Sequence, residues 1–486
     1  MSGEGWKTVT IDLSPIEIID GDRGRNYPKQ EEFYDNEYCL FLNTSNVTPQ
    51  GFNFEKTMFI TSEKDELLKK GKLKRYDIVL TTRGTVGNVA YYDENVPYEN
   101  IRINSGMVIF RNGRPEDISS QYFYHFLRSS IFQDQVESHS SGSAQPQLPI
   151  KDLKRIELPL PPLPTQTRIA SILSALDDKI ELNRQTNATL EAIAQAIFKE
   201  WFVNFRFPGA TGEMEDVAGC SMNGAGLEPA PMRLIPKGWR VGKVGDICEV
   251  NKNTIGKGDV FDHIEYIEIS EVNRGAIGKT SIYSYGTEPS RAKRKLKHGD
   301  TVLSTVRPNR GAYFLALNSS STLIASTGFA VFSPVAVPPS FLYLLLTSSE
   351  KLEYYGHVAD GGAYPAINPN LIMDIDIVIP GEDALNDFQS VADSLFKKID
   401  NNNRQSATLA KIRDVLLPKL MNGEIPVGAG SKPALASTPK PARSVIHKPV
   451  LGLEPKDRAG LEPQDRAGLE PAPTQSTATE SPRGSS

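Results

Sequence analysis

The stretch LPLPPLPTQTRIASILSALDDKIELNRQTNATLEAIAQAIFKEWF (158–202) decides the architecture. It leaves a proline-rich exit and turns into one long helical pattern. Apolar residues fall at Ile169, Leu173, Leu176 and Ile180, then at Leu190, Ala194, Ile197 and Trp201, with Asn183 and Asn187 between them. Steps of four and three alternate throughout. Such spacing keeps one narrow seam turned toward a partner helix, as in a coiled coil, instead of spreading a broad amphipathic face. Thr165, just after Pro164, can cap the free amides of a first turn, so the helix is expected to start there.

The partner lies in the same chain. An offset of 219 residues sets Pro161 over Pro380, Ile180 over Ile399, Asn183 over Asn402 and Leu190 over Leu409. The second seam reads Phe388, Ala392, Leu395, Ile399, Asn402, Ser406, Leu409, Ile412, Leu416 and Leu420, with Ile412 alone off the strict offset. Both seams turn polar at the same central positions. A buried Asn destabilises unless it is paired, and it commonly fixes register. Matching polar centres predict two helices packed antiparallel, their polar patches meeting halfway; the alternative is that these Asn break each helix in two. Pro418 should kink or end the second helix near its last turn. A helix of about 38 residues at ~1.5 Å per residue spans ~57 Å.

Outward from the helices the duplication continues. GSAQPQLP (142–149) lies over GGAYPAIN (361–368), LKRYDIVLTTRGTVG (73–87) parallels LKHGDTVLSTVRPNRG (296–311), and INSGMVIF (103–110) parallels IASTGFAVF (324–332). YFYHFLRSS (122–130) parallels FLYLLLTSS (341–349), and Trp6-Lys7 answers Trp239-Arg240. Short β-type runs punctuated by Gly, Pro, Asn and Asp, with one helix-like segment at 121–130 or 340–352, read as a compact α+β domain in each copy. The fold class is therefore α+β: two such domains joined by two long antiparallel coiled-coil helices, an internal duplication with pseudo-two-fold symmetry. The expected boundaries are 1–158 for the first domain, 159–207 for the central helix, 208–235 for a flexible linker, 236–380 for the second domain, 381–425 for the distal helix and 426–486 for a disordered Pro/Ala/Ser-rich tail. The tail repeats DRAGLEP, for which no physical role is evident.

A basic cluster precedes and enters the Asp-bearing turn of each domain. The first copy offers Lys72, Lys74, Arg75 and Arg83 with Asn88; the second offers Arg294, Lys295, Lys297, Arg307, Asn309 and Arg310. Lys and Arg neutralise phosphates and release counterions, and Arg or Asn can read base edges in the major groove. One such run is usually a solvated face. Two at equivalent points of a duplication point to nucleic acid. The loops differ in detail, TTRGTVGN against STVRPNRG, so two halves sharing a frame should read two different half-sites.

No catalytic signature is present in the sequence. The PP pairs read LPPL and VPPS, so the Asp/Asn/Ser-Pro-Pro-aromatic signature of an amino-methyltransferase is missing, and with it a loop for a flipped adenine. NRGAIGKT (273–280) has Asn where a phosphate-binding loop needs its first Gly. Six histidines and three cysteines (Cys39, Cys220 and Cys248) show no ligand spacing, and the consecutive Asp177 and Asp178 read as solvated surface. No metal and no catalytic residue is expected. Net charge is −5, so basicity is local, not global. No export signal or membrane-length apolar run is present, which points to a cytoplasmic location.

These residues resemble one family over roughly residues 5–425: the specificity subunits of bacterial type I restriction–modification systems. The resemblance rests on the WKT start with GDRGRNYPK (21–29), on DIVLTTRGTVGNVA (77–90), STGFAVF (326–332), and GSAQPQLP leading into the helix quoted above. The second copy departs from it, with GGAYPAIN for the Gln-Pro form and FQSVADSLFKKIDNNNRQ without a Pro-x-x-Gln start. The resemblance implies a non-catalytic, DNA-binding subunit that bridges two modification (methyltransferase) subunits and associates with restriction (motor-nuclease) subunits. S-adenosylmethionine, ATP and Mg would then be bound by those partners, not by this chain. It implies helices that serve as ruler and docking surface, with Phe198, Phe202 and Phe205 on their outer faces. Two other readings compete: a single-chain DNA methyltransferase/endonuclease component, and a coiled-coil assembly scaffold that binds no DNA.

Overall fold

The computed structural model describes residues 6–139, 147–217, 233–360 and 365–427. The tail, the middle of the linker with Cys220, and the segments 140–146 and 361–364 lie outside the described residues.

Each half repeats one set of elements. In the first, a four-stranded antiparallel sheet runs in the order Ile16–Asp20, Met107–Asn112, Ile78–Thr81, Val89–Tyr91. In the second, the order is Cys248–Val250, Phe329–Pro334, Thr301–Ser304, Tyr313–Leu315. Runs such as IVLT and TVLS are buried at all four positions, which is why they show no alternation of apolar and charged residues. A second sheet lies beside each, three-stranded in the first half and four-stranded in the second, built around a parallel pair: Cys39–Leu42 with Ile101–Ile103, and His263–Ile267 with Leu323–Ser326. The first strand of each half, Lys7–Thr10 or Arg240–Lys243, pairs with the strand that leads into that half's long helix, Glu157–Leu160 or Asp376–Ile379. Each helix therefore leaves its domain from a sheet edge closed by the domain's own beginning.

The central helix spans Leu163–Phe198, continues as a π turn over Lys199–Val203, and carries no break at Asn183 or Asn187. It begins two residues before the expected Thr165, with Pro162 as cap and Pro164 inside the first turn. A proline is tolerated there because first-turn amides have no intrahelical acceptor. The distal helix spans Glu382–Met421 and contains Pro418 three residues before its end.

The two helices run antiparallel. Asp177 bonds Arg413, Asn183 bonds Ser406, Asn187 bonds Asn403, and Trp201 meets Phe388. In each pair the two residue numbers sum to 589 or 590, so one helix descends as the other climbs. Combined with the 219-residue offset, this places the pseudo-two-fold axis near Gln185. The polar centre sits on that axis. Asn183 Nδ2 donates to Ser406 Oγ (3.1 Å) and Gln405 Oε1 (2.9 Å), while Asn402 Nδ2 donates to Asn187 Oδ1 (2.8 Å). With these bonds made, the buried amides incur little desolvation cost; in a slipped register they would be stranded among apolar neighbours.

The remaining seam residues follow the expected pattern. Ile169, Leu173, Phe388 and Ile399 are buried, and Leu176, Ile180, Leu190, Ile197, Trp201, Leu395, Leu409 and Leu416 are half-buried. Ile412 is a correction: it is 43% exposed, and Arg413, which keeps the strict offset from Ala194, takes the inner position. Phe198 and Phe202 are another. They do not lie on an outer face but are buried in an aromatic cluster with Phe341, Phe388 and Trp239. Phe205 packs edge-on against Trp239. These contacts fasten the second domain to the far end of the first helix, while Leu417, Leu420 and Met421 of the distal helix enter the core of the first domain. Each domain thus rests on the start of its own helix and the end of the other. The expected flexible linker is partly structured, since Met214–Val217 pairs antiparallel with Arg233–Pro236.

Candidate nucleic-acid interface

The basic turns are built alike. In the first domain Asp77 accepts from the Lys74 amide (2.7 Å) and pairs with Arg111 (2.7 Å). In the second, Asp300 accepts from the Lys297 amide (2.8 Å), but Ser333 stands where Arg111 would be and donates a hydrogen bond of 2.7 Å. Without a cation opposite, burial pushes the Asp300 carboxyl above its ordinary range.

The eleven candidate contact residues separate into two groups. Several are tied inward. Lys72 and Arg102 both pair with the buried Asp65, whose carboxyl is pushed up by burial but held low by the two cations. Arg75 donates to the carbonyls of Asp93 (2.6 Å) and Val96 (3.0 Å), and its guanidinium lies 4.2 Å from the centre of the Tyr92 ring. Lys295 pairs with Asp259 (2.9 Å), and Asn88 donates to the Val47 carbonyl (2.9 Å). Arg294 is half-buried, and burial lowers its guanidinium pKa. Side chains held this way hold the domain together; they are not free to track a phosphate backbone. Lys74, Arg83, Lys297, Asn309 and Arg310, by contrast, are exposed, and Arg307 is half-buried.

Arg83, Asn309 and Arg310 lie on one loop per domain, after the strands Ile78–Thr81 and Thr301–Ser304, whereas Lys74 and Lys297 lie in the turns before those strands. Arg83 forms a bridge with Gln147, and the Leu148 amide donates to Thr82 O (3.0 Å). In the twin, Val306 bridges Ala366, the Arg307 amide donates to Pro365 O (2.8 Å), and the Ile367 amide donates to Thr305 O (2.9 Å). Each reading loop therefore borders the segment after 140–146 or 361–364. The second is the more contorted, with Arg307 (φ 48°) and Gly311 (φ 80°) both left-handed around a single 3-10 turn, Pro308–Arg310. A short hairpin flanks each loop: Val47–Thr48 with Gly51–Phe52, and Val272–Asn273 with Ala276–Ile277. The second hairpin is the NRG stretch whose spacing failed as a phosphate loop.

One polar centre departs from the expectation of solvated surface. Asp177 is not solvated surface. It lies between Arg413 (2.8 Å) of the distal helix and Arg128 of the first domain. Burial pushes its carboxyl up, yet the two guanidiniums outweigh that and hold it below the usual range. His125, 1% exposed, sits alongside with Nε2 3.0 Å from Ser174 Oγ, and burial drives its pKa down to about 3. The available signal was Arg413, a cation on a seam position facing an aspartate in antiparallel register. Among the described residues, no group of three or more His, Cys, Asp or Glu side chains could hold a metal ion, and no helix is long and apolar enough to cross a membrane.

Comparison with known proteins agrees with the duplication. A family model described as the type I restriction modification DNA specificity domain matches residues 3–192 and again 236–411, one match per half. The chain is 30% identical over 363 residues to the type I restriction enzyme MjaIX specificity subunit of Methanocaldococcus jannaschii, covering 72% of this chain and 78% of that one. It is 26% identical over 464 residues to the HindI specificity subunit of Haemophilus influenzae, covering 83% and 98%. Among solved structures, the S subunit of a type I restriction–modification system from M. genitalium aligns over 86% of this chain and 96% of its own, at 15% identity and a TM-score of 0.44.

Proposed function

The chain belongs to the type I restriction–modification DNA specificity family, and from that premise we propose that it reads a bipartite duplex site, one half with each domain. The observation that carries this reading is the pair of equivalent loops, 82–88 and 305–311, held in one frame but built from different residues. Lys74 and Arg83 would serve the first half-site, and Lys297, Arg307, Asn309 and Arg310 the second. Phosphate contacts set orientation and base-edge contacts set sequence. The helix pair would be the ruler. At ~1.5 Å per residue its 36-residue helix is about 54 Å long, which suits half-sites one to one-and-a-half turns apart at ~34–36 Å per turn.

The helices also offer a docking face for the modification subunits, though not at Phe198 and Phe202. Leu182 and Ile193 of the central helix and Ile412 and Val415 of the distal helix are 53, 44, 43 and 57% exposed. On the central helix Leu182 and Ile193 fall on the flank opposite Asp177 and Gln195, which the domains cover. In this reading the chain performs no chemistry and binds no cofactor. Methyl transfer with S-adenosylmethionine and ATP-driven, Mg-dependent cleavage would reside in the partner subunits.

Sequencing of methylated bases in cells with and without the chain tests the reading. The expected result is one bipartite motif that disappears with the chain, and replacement of residues 1–158 by those of another member changes only one half of it. A motif that survives removal of the chain, or changes in both halves, overturns the proposal. Methylation by the purified chain alone would favour the enzyme alternative.

A further inference from the structure

The hairpin turn Asn273-Arg274-Gly275 touches three separate parts of the molecule with three consecutive residues. Asn273 Nδ2 donates to Glu55 Oε1 of the first domain at 3.2 Å. The Arg274 amide donates to Gly311 O at 2.7 Å, at the end of the second reading loop, and a Cβ on Gly311 would lie 2.9 Å from Arg274 Cγ. The Gly275 amide donates to Tyr313 O at 2.8 Å, and a Cβ on Gly275 would lie 2.8 Å from Glu191 Oε2 and 3.1 Å from the Tyr343 hydroxyl. Glu191 belongs to the central helix, and Tyr343 donates to its carboxylate at 2.7 Å.

The turn demands a glycine at 275, where φ is positive and a Cβ would meet Glu191. Arg274 (φ 40°) and Gly275 (φ 80°) are both left-handed, a conformation that costs an ordinary L-residue of order 1 kcal/mol and that glycine adopts freely. Arg274 is also the cation whose charge acts on Glu191, a carboxylate otherwise pushed upward by burial. Among the described residues, the first domain has no such arrangement. Its corresponding hairpin is held by Asn88 within the domain, and the residue 219 positions from Glu191 in the distal helix is Ala410.

We propose that the Asn273–Gly275 turn is a positioning device for the second half-site: it fixes the 307–311 loop against the central helix and against the first domain. One side of the loop is held by the Arg307 amide on Pro365 O (2.8 Å) and by Asn309 packed against Gly356. Its Gly311 end is held by Arg274, and the place of Arg274 is set by Gly275 seated on Glu191 and Tyr343. Reading of the second half-site then depends on residues that never meet DNA, and the exposed bond from Asn273 to Glu55 restrains the spacing that the helix pair sets. This inference rests on the proposed bipartite reading.

The test compares methylation motifs in cells carrying the intact system with wild-type chain, Arg274→Ala, Glu191→Gln, Gly275→Val and Asn273→Ala. For the first three, discrimination in the second half-site is expected to fall about tenfold, the scale of one lost base contact, with the first half-site within about twofold of wild type. Asn273→Ala should broaden the tolerated spacer and leave both half-sites intact. Arg274→Lys, which keeps the charge, should recover more discrimination than Arg274→Ala. If Gly275→Val does not fold, Arg274→Ala and Glu191→Gln decide, since neither adds bulk to the turn. Unchanged second half-sites in both, or equal loss in the two halves, would overturn the proposal. A wild-type chain that yields no bipartite motif would instead refute the functional reading beneath it.

Discussion

Asp177 offers the sharpest test of how the helix pair is held. Its carboxylate lies between Arg128 and Arg413, and the three side chains are only 22, 15 and 21% exposed. Removing one member of a buried ionic group leaves the others unpaired and costs about 3–5 kcal/mol; partial exposure here reduces that to roughly 2–4 kcal/mol for Asp177→Ala. The duplication supplies the control. At the twin positions, 219 residues away, stand Thr347, Phe396 and Ala194, all buried and uncharged, with Phe396 edge-on to Tyr343 at 5.6 Å. The triple replacement Arg128→Thr, Asp177→Phe, Arg413→Ala therefore installs a set already accepted by the same frame. Exchange of a buried ionic triad for packed apolar residues is often neutral or stabilising, so the triple variant should lie within about 1 kcal/mol of wild type or above it.

Urea denaturation of the full chain at neutral pH measures both. Circular dichroism follows the helices and tryptophan fluorescence follows Trp6, Trp201 and Trp239, and coincident transitions license a single free energy. The reasoning is refuted if Asp177→Ala is neutral, or if the triple variant is as unstable as the single one.

Three further outcomes are expected. His125 stays neutral in the fold because burial lowers its pKa to about 3, whereas the unfolded chain takes up a proton near pH 6.5; stability is therefore complete above ~6.5 and falls by up to about 1.4 kcal/mol per pH unit below it, toward 3. His125→Leu, the residue found at its twin Leu344, should flatten that slope in pH-dependent melts, and an unchanged slope would exclude His125 as its source. Arg83→Ala and Arg310→Ala should each weaken DNA binding and reduce the slope of log K against log salt by about 1, while Arg75→Ala, which empties a carbonyl cage, should lower the melting temperature and leave that salt slope alone. Asn183→Ala should cost about 1–2 kcal/mol by removing the amide that meets the buried Asn402 carbonyl and the half-buried Ser406 hydroxyl, detectable as a lower urea midpoint; no change would mean that the polar centre does not fix the register.

The helices were legible because a 3.5-residue period is written in neighbouring residues, and a second copy in strict offset repeated it. The polar centre was legible for the same reason: Asn183 and Asn402 could be matched by number alone. What rests on distant chain segments was not. Periodicity shows that Phe198 and Phe202 share a helix flank, but not that Trp239 and Phe341 return to cover it. Arg75 reads as one more cation in a basic run until the chain between Asp93 and Tyr98 closes around it. Asp177 beside Asp178 looks like solvated surface, since only the antiparallel register brings Arg413 within reach. The NRG turn looked like a failed phosphate loop, because its contacts lie on residues 55, 191 and 311, none of them near in sequence.

The two halves diverge most where sameness would be harmful. Loops that read different half-sites must differ, and 82–88 and 305–311 do. The domain–helix junctions differ too, ionic at one end and aromatic at the other, although nothing about DNA requires it. A frame with two-fold symmetry invites exchange, because the end of one copy's helix could dock on the domain of another. With unlike ends, docking of a helix end on the other kind of domain would set Arg128 and Asp177 against Ala194, without their third partner, or Phe396 against Arg413, whose charge would then be unpaired. The triple variant removes that penalty along with the charges. If the unlike junctions keep the chain monomeric, it should form more dimer than wild type when refolded at high concentration, as read by light scattering on a sizing column. Equal dimer content in the two proteins would mean that the junctions differ for some other reason.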